Sequence, residues 1–523
     1  MRTLRNAGAL LLAWVCTGCV GTIGDGEETR DRPDLPVDEG SLALSGQRRL
    51  TRTEIERTLR DLVGDAAVDA AAVELAGLPS DEVKDGFTTM AGDVSAAYVE
   101  STFRLADKVA DTIARDPAAR ATLEPCLGEA APSDPCVQAF VSGFGRRAWR
   151  RPLTADEIAE VSISYTSGAA LSPEDGLALT LLHLLSAPPF LYRLELEGGE
   201  TSDPSVYGLT SFELATRLSY AVWGSGPDDA LLDAAASGAL ETEDGFSEQL
   251  ARLAADARAR SHATTFFREW LQLDKIATPQ QSAEFLAGVE GAALPALASA
   301  ELEGFLVGQA FEAESHVRDL FDGRGSSVAD GPLATVYGVS GGAGTLPPDR
   351  AGPLGRVAML IDTGETTHPI RRGARVRRRI LCDAIDLPAP TEVPPDQIKP
   401  PPFAPDKTAR ERWTDQTSAA NCASCHARIN AIGFALEGFD TIGRPRATDC
   451  IFYSYEGNPT CEPTDYRGRP YNSLLVSLAQ AMGLEPADYD QGGGAGIGDL
   501  SGNAFHQWDL ASATEPLPHL ASG

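Results

Sequence analysis

Thr51 to Gly64 reads TRTEIERTLRDLVG, and the spacing within it is that of a helix. Thr51 and Glu54 stand where a hydroxyl and a carboxylate satisfy each other's backbone donors at a helix start. Ile55, Leu59, Leu62 and Val63 then fall on one face, and Gly64 supplies a stop. The same device returns at Thr154 with Glu157 and at Thr210 with Glu213, the latter followed by Leu214, Leu218 and Val222 at helical spacing. Further helices are expected around Tyr98 to Arg115, Leu177 to Leu185, Phe246 to Arg258 and Thr264 to Leu273. No segment alternates with period two for long enough to predict a large sheet, so the expected class is mainly α.

The composition changes after Val328. Gly338, Gly341, Gly342, Gly344, Pro347 and Pro348 mark a loop, and a short apolar helix is expected over Leu354 to Ile361. A dense basic run follows (Arg371, Arg372, Arg375, Arg377, Arg378, Arg379), and then Pro388 to Pro405, too rich in proline for helix or central strand and read as an extended arm. Gly338-Val339-Ser340-Gly341-Gly342 fits the pattern of a hydrolase nucleophile elbow, but the prolines after it forbid the helix an elbow needs. His183, inside an apolar run, reads as a hydrogen-bonded core histidine.

The chain has 523 residues, 43% hydrophobic and 23% charged, which suits a globular protein with several cores. Its 44 Lys and Arg against 75 Asp and Glu leave a net charge of -31, which repels phosphate backbones and argues against nucleic-acid binding. No apolar run reaches the roughly 18 residues of a membrane-spanning helix.

Arg2 and Arg5, the apolar run Ala9 to Val15, and Thr17-Gly18 before Cys19 read as an export signal. The Thr17-Gly18-Cys19 ending resembles a bacterial lipoprotein box, with Cys16 where Leu is usual, so Cys19 is the expected site of lipidation; ordinary cleavage and secretion is the alternative. The polar stretch from Gly21 to Pro36 reads as a tether. In an oxidising compartment cysteines pair or carry a cofactor. Cys126 with Cys136, and Cys450 with Cys461, each bracket a Gly/Pro-containing loop and are disulfide candidates. Cys382 is left over, so either it is a buried thiol or one pairing is wrong.

Asn421-Cys422-Ala423-Ser424-Cys425-His426 contains CxxCH, the attachment signature of c-type haem. Two thiols a helical turn apart reach the two vinyl groups of one porphyrin edge, and the adjacent imidazole turns to the iron. Covalent haem c is therefore the expected cofactor, held by Cys422 and Cys425, with His426 as axial iron ligand. A structural zinc site and a thioredoxin-like redox pair are the weaker alternatives, since no second close Cys pair and no alternation of strands and helices accompany the motif. With one CxxCH in the chain, a two-haem arrangement would need a partner. Met482 is a weak candidate for the sixth ligand, with Met359, Met90, His368 and His506 as others and an open iron as a further alternative. Arg444, Arg446 and the Arg371 to Arg379 run are candidates for pairing the haem propionates, or else form a solvated basic face. Glu437 and Asp440 are either groups supporting His426 or exposed helix residues.

Cys422 to Arg446, CASCHARINAIGFALEGFDTIGRPR, resembles the haem-motif segment of the large planctomycete-type cytochrome-domain family, exported proteins built from consecutive modules of unknown function. The segments Arg49 to Gly64, Gly143 to Ile158, Leu209 to Leu232 and His368 to Cys382 agree in family order, so the resemblance runs over residues 47–448. Asn430 and Ala431 depart from the Asp and Pro usual there. The tail from Arg469 faintly resembles the end of another uncharacterised exported family, as in a fusion. The resemblance implies no reaction.

The expected organisation is a multi-module helical protein with a C-terminal cytochrome c-like haem segment. Its parts are a signal (1–18), a tether (19–46), N-terminal helical modules (47–200), a second helical module (201–335), a haem-binding module (336–448) and an atypical tail (449–523). The functional expectation is electron transfer by a monohaem lipoprotein on the cell envelope, with a redox partner protein there and with membrane contact through the lipid alone. The competing classes are a binding or scaffold lipoprotein for a partner or polysaccharide, with haem secondary, and a haem-dependent oxidoreductase.

Overall fold

The computed structural model describes residues 47–89, 94–129, 132–196, 208–312, 315–326, 331–339, 344–364, 366–383, 399–402 and 409–445, with a few isolated positions between them. These residues are mainly helical. The strands among them make two small antiparallel ribbons, Gln47–Arg49 with Tyr192–Leu194 and Val83–Lys84 with Phe87–Thr88. The chain divides into two compact units, one ending at Ala263 and one starting at Thr264.

In the first unit the three sequence-predicted capping boxes are present, at the helices Arg52–Val63, Ala155–Ala169 and Ser211–Trp223. Two of the three stops are glycines at positive φ: Gly64 at 83°, and Gly224 in the left-handed region at 66°. The helices Ala96–Arg115, Asp134–Trp149 and Pro173–Ser186 bury Val109, Ile113, Phe140, Val141, Leu181 and Leu184 in one core with Leu50, Ile55 and Leu59. Cys126 and Cys136 are joined by a disulfide across the loop before Asp134–Trp149. Arg150, left-handed at φ 61°, ends that helix and donates to the carbonyls of Pro189, Phe190 and Tyr192, which ties the helix to the strand Tyr192–Leu194. His183 shares a 2.9 Å hydrogen bond with Ser164 Oγ.

One boundary differs from expectation. The helix expected to run through Arg258 stops at Ala255, and a new one, Ala257–Leu271, fills the expected gap. Asp256 is the reason: its backbone is extended and its carboxylate accepts from the Arg258 N–H at 2.9 Å, the behaviour of a cap rather than a helix interior.

The second unit centres on the helix Leu294–Phe311, which buries Leu294, Ala298, Leu302 and Leu306. The apolar helix expected over Leu354 to Ile361 is a single turn, Val357–Leu360, wholly buried. Arg356 and Glu301 form an ion pair inside this core, with Tyr337 Oη and Ser326 Oγ also donating to Glu301, at 3.0 and 2.8 Å. Where the nucleophile elbow would require a strand, the helix Pro332–Tyr337 runs into Gly338 instead. The arginine run lies on the helix Pro369–Arg379, which packs against Ala420–Ala435.

Candidate haem site

The helix Ala420–Ala435 carries the CxxCH motif in its first two turns. Cys422, Cys425 and His426 are related as i, i+3 and i+4, which sets them on one face. Exposure is graded along this helix. Cys425 is exposed and Cys422 and His426 are half-buried, whereas Ile429 and Ile432 are buried. Cys422 and Cys425 are not disulfide-bonded.

His426 is oriented by its own helix: Nδ1 lies 3.0 Å from Asn430 Oδ1. Asn430 Nδ2 donates to Thr417 Oγ1 at 2.9 Å, and Thr417 Oγ1 donates to the Trp413 carbonyl at 2.7 Å. Thr417 and Trp413 are buried and belong to the preceding segment, the helix Ala409–Gln416 and the residue after it. The Trp413 ring lies 4.4 Å from that of His368.

This donor set fits a c-type haem. With Nδ1 engaged by Asn430, Nε2 is the nitrogen that would be left for an iron, and the two thiols share its helix face. Among the described residues no group of three or more His, Cys, Asp or Glu is placed to hold a metal ion directly. In a haem the in-plane donors come from the porphyrin, and the chain need supply only axial ligands.

The other candidates have different employment. Glu437 is buried, accepts from Thr367 Oγ1 and lies 3.5 Å from Arg372, so it neither supports His426 nor faces solvent. Asp440 accepts from the backbone of Ile442 and Arg444 and from Arg444 Nε at 2.8 Å, closing the turn after the motif helix. Arg444 also donates to the Phe285 carbonyl. The arginine run is solvated only in part: Arg371 is exposed, whereas Arg372 is buried and donates to the carbonyls of Leu360, Leu436, Phe439 and Asp440. It thereby ties the turn after the motif helix to the end of the buried turn Val357–Leu360. Arg377 reaches the Arg428 carbonyl and Asp383.

Met359 is buried. His368 caps its helix, Nδ1 accepting from the Arg371 N–H at 3.3 Å; burial and the charges of Arg371 and Arg372 hold its pKa down to about 4. Cys382 is exposed rather than buried, with φ 54°. Met482, Arg446, Cys19, Cys450, Cys461, Met90 and His506 lie outside the described residues. The role the sequence reading missed is that of Asn430, whose i+4 spacing from His426 was the available signal.

Four families match the chain consecutively, each described as a protein of unknown function: PSD3 (DUF1587) over residues 48–115, PSD5 (DUF1595) over 136–195, PSD4 (DUF1592) over 209–339 and PSCyt3 (DUF1588) over 350–449. The chain belongs to the planctomycete-type family built from these modules, with the cytochrome-like module towards its C-terminal end. No curated protein and no solved structure matches it. The division between compact units, at residues 263 and 264, falls within the PSD4 match. No helix among the described residues is long and apolar enough to cross a membrane.

Proposed function

We propose that this protein is a monohaem c-type electron-transfer protein of the bacterial cell envelope. The observation that carries the reading is the surface shared by Cys422, Cys425 and His426, with His426 held at Nδ1 by Asn430. When bound, haem c supplies one-electron iron chemistry. The chain's own part is to attach it through Cys422 and Cys425, to offer His426 Nε2 to the iron, and to keep that imidazole from rotating. Met482 is the candidate for a second ligand to the iron. A redox partner protein in the envelope would exchange the electron, and a lipid on Cys19 holds the molecule to an envelope membrane.

Expression with a cytochrome c maturation system should give haem that stays with the chain through denaturation and acid-acetone extraction, and a colourless product overturns the reading. Reversible cycling between oxidised and reduced spectra without carbon monoxide binding fits a carrier. A carbon monoxide complex would instead assign a haem oxidoreductase with an open iron position. Cys19→Ser should leave an unacylated chain, either released or held as precursor.

A further inference from the structure

We propose that Asn430 is the positioning residue that selects the protonation form of His426 and sets the potential of the iron; the inference rests on the haem reading above. The argument starts from a backbone atom. The Trp413 carbonyl can only accept, and Thr417 Oγ1 sits 2.7 Å from it, so the one hydroxyl hydrogen of Thr417 points there. The hydroxyl therefore turns lone pairs toward Asn430, and the group facing it at 2.9 Å must be the amide NH2. That leaves Asn430 Oδ1 facing His426 Nδ1 at 3.0 Å, and an amide oxygen only accepts. In its neutral, ligating form His426 must then carry its hydrogen on Nδ1, with the lone pair on Nε2. Turning the amide over would draw the Thr417 hydroxyl away from Trp413 and leave the relay one hydrogen bond short, a penalty on the order of 1 kcal/mol.

An amide suits this relay in a way a carboxylate does not. An aspartate at 430 would accept from both neighbours and pull the Thr417 hydroxyl off the Trp413 carbonyl. Its charge would make the imidazole a more basic ligand and favour oxidised iron. The neutral Asn430 therefore holds the ring while keeping the potential higher than a carboxylate would.

The test uses the full chain with Asn430→Asp, Asn430→Leu and Thr417→Val. In the haem-loaded protein, Asn430→Asp should shift the midpoint potential downward, by about a tenfold change in the redox equilibrium, which is about 59 mV for a one-electron couple. In the unloaded protein labelled with 15N-histidine, the ring-nitrogen pairs of seven histidines are to be assigned, and His426 should report hydrogen on Nδ1 in wild type and in Asn430→Asp. Asn430→Leu and Thr417→Val should lose that preference, and thermal melts would show whether each variant folds. Haem-bearing variants with an unmoved potential, or an Asn430→Leu chain that keeps hydrogen on Nδ1, overturn the inference while leaving the haem reading intact. Colourless chains whose His426 still responds to Asn430→Leu overturn the haem reading and retain the positioning role.

Discussion

Gly433 lies so close to Pro369 that a β-carbon at 433 would stand 2.0 Å from the Pro369 carbonyl oxygen. The relationship is reciprocal: a β-carbon at Gly373 would stand 2.3 Å from the Ile429 carbonyl oxygen. Helix-interior glycine costs roughly 1 kcal/mol against alanine, so two of them at one crossing are there for contact between backbones. Gly433→Ala and Gly373→Ala should each destabilise by about 1–3 kcal/mol as the helices are forced apart. Gly143, exposed in the helix Asp134–Trp149 with nothing near its missing β-carbon, is the control: Gly143→Ala should stabilise by up to about 1 kcal/mol. Urea titrations of the three variants check the opposite signs.

Breaking the Glu301–Arg356 pair by removing one partner should cost more than removing both. Both side chains are buried, and Arg356 also donates to the Gly352 and Gly325 carbonyls. Glu301→Leu leaves an uncompensated buried guanidinium and should destabilise by about 3–5 kcal/mol. Adding Arg356→Met should recover the part of that loss that comes from the unpaired charge, but not the part that comes from Tyr337 Oη, Ser326 Oγ and the Gly325 and Gly352 carbonyls losing their partners. Denaturant midpoints across the double-mutant cycle measure the recovery.

His368 should make the protein acid-sensitive. Its pKa is held at about 4 in the folded chain, below the ordinary 6.5, so between those values the unfolded chain binds a proton that the folded chain does not. Stability from this group is complete above about pH 6.5 and falls as pH drops toward 4, by up to about 3 kcal/mol. Arg371 and Arg372 act on it electrostatically, and the Asp362 carboxylate accepts from the His368 N–H at 3.3 Å. Melting temperatures at pH 7 and pH 4.5 should fall further for wild type than for His368→Gln.

Reduction should weaken the first unit. The Cys126–Cys136 bridge closes a loop with a sequence separation of 10, for which the chain-entropy relation gives about 3 kcal/mol. Cys126→Ala with Cys136→Ala, or dithiothreitol on the wild type, should lower the melting temperature to a similar extent.

What was legible in the sequence was mostly local. A capping box such as Thr210 with Glu213 is complete within four residues, and CxxCH within five, so neither depends on the rest of the fold. Asp256 was missed because an alanine-rich surround reads as continuous helix, although a side chain that can cap its own backbone breaks it. Arg372 was read from charge alone, and its burial depends on carbonyls that a different helix brings to it. Asn430 could be paired with His426 from spacing, but the direction of that hydrogen bond depends on Thr417 and Trp413, which only the tertiary fold brings into place.

The graded exposure of the motif helix bears on how the molecule is made. Cys422, Cys425 and His426 stand at the accessible end, and anchorage begins at Ile429. Under the haem reading, forming the thioethers involves only the accessible end and leaves the packed residues undisturbed. The residues that would take the cofactor and the residues that hold the helix in the core are then different residues of one helix, so either set can be altered without touching the other.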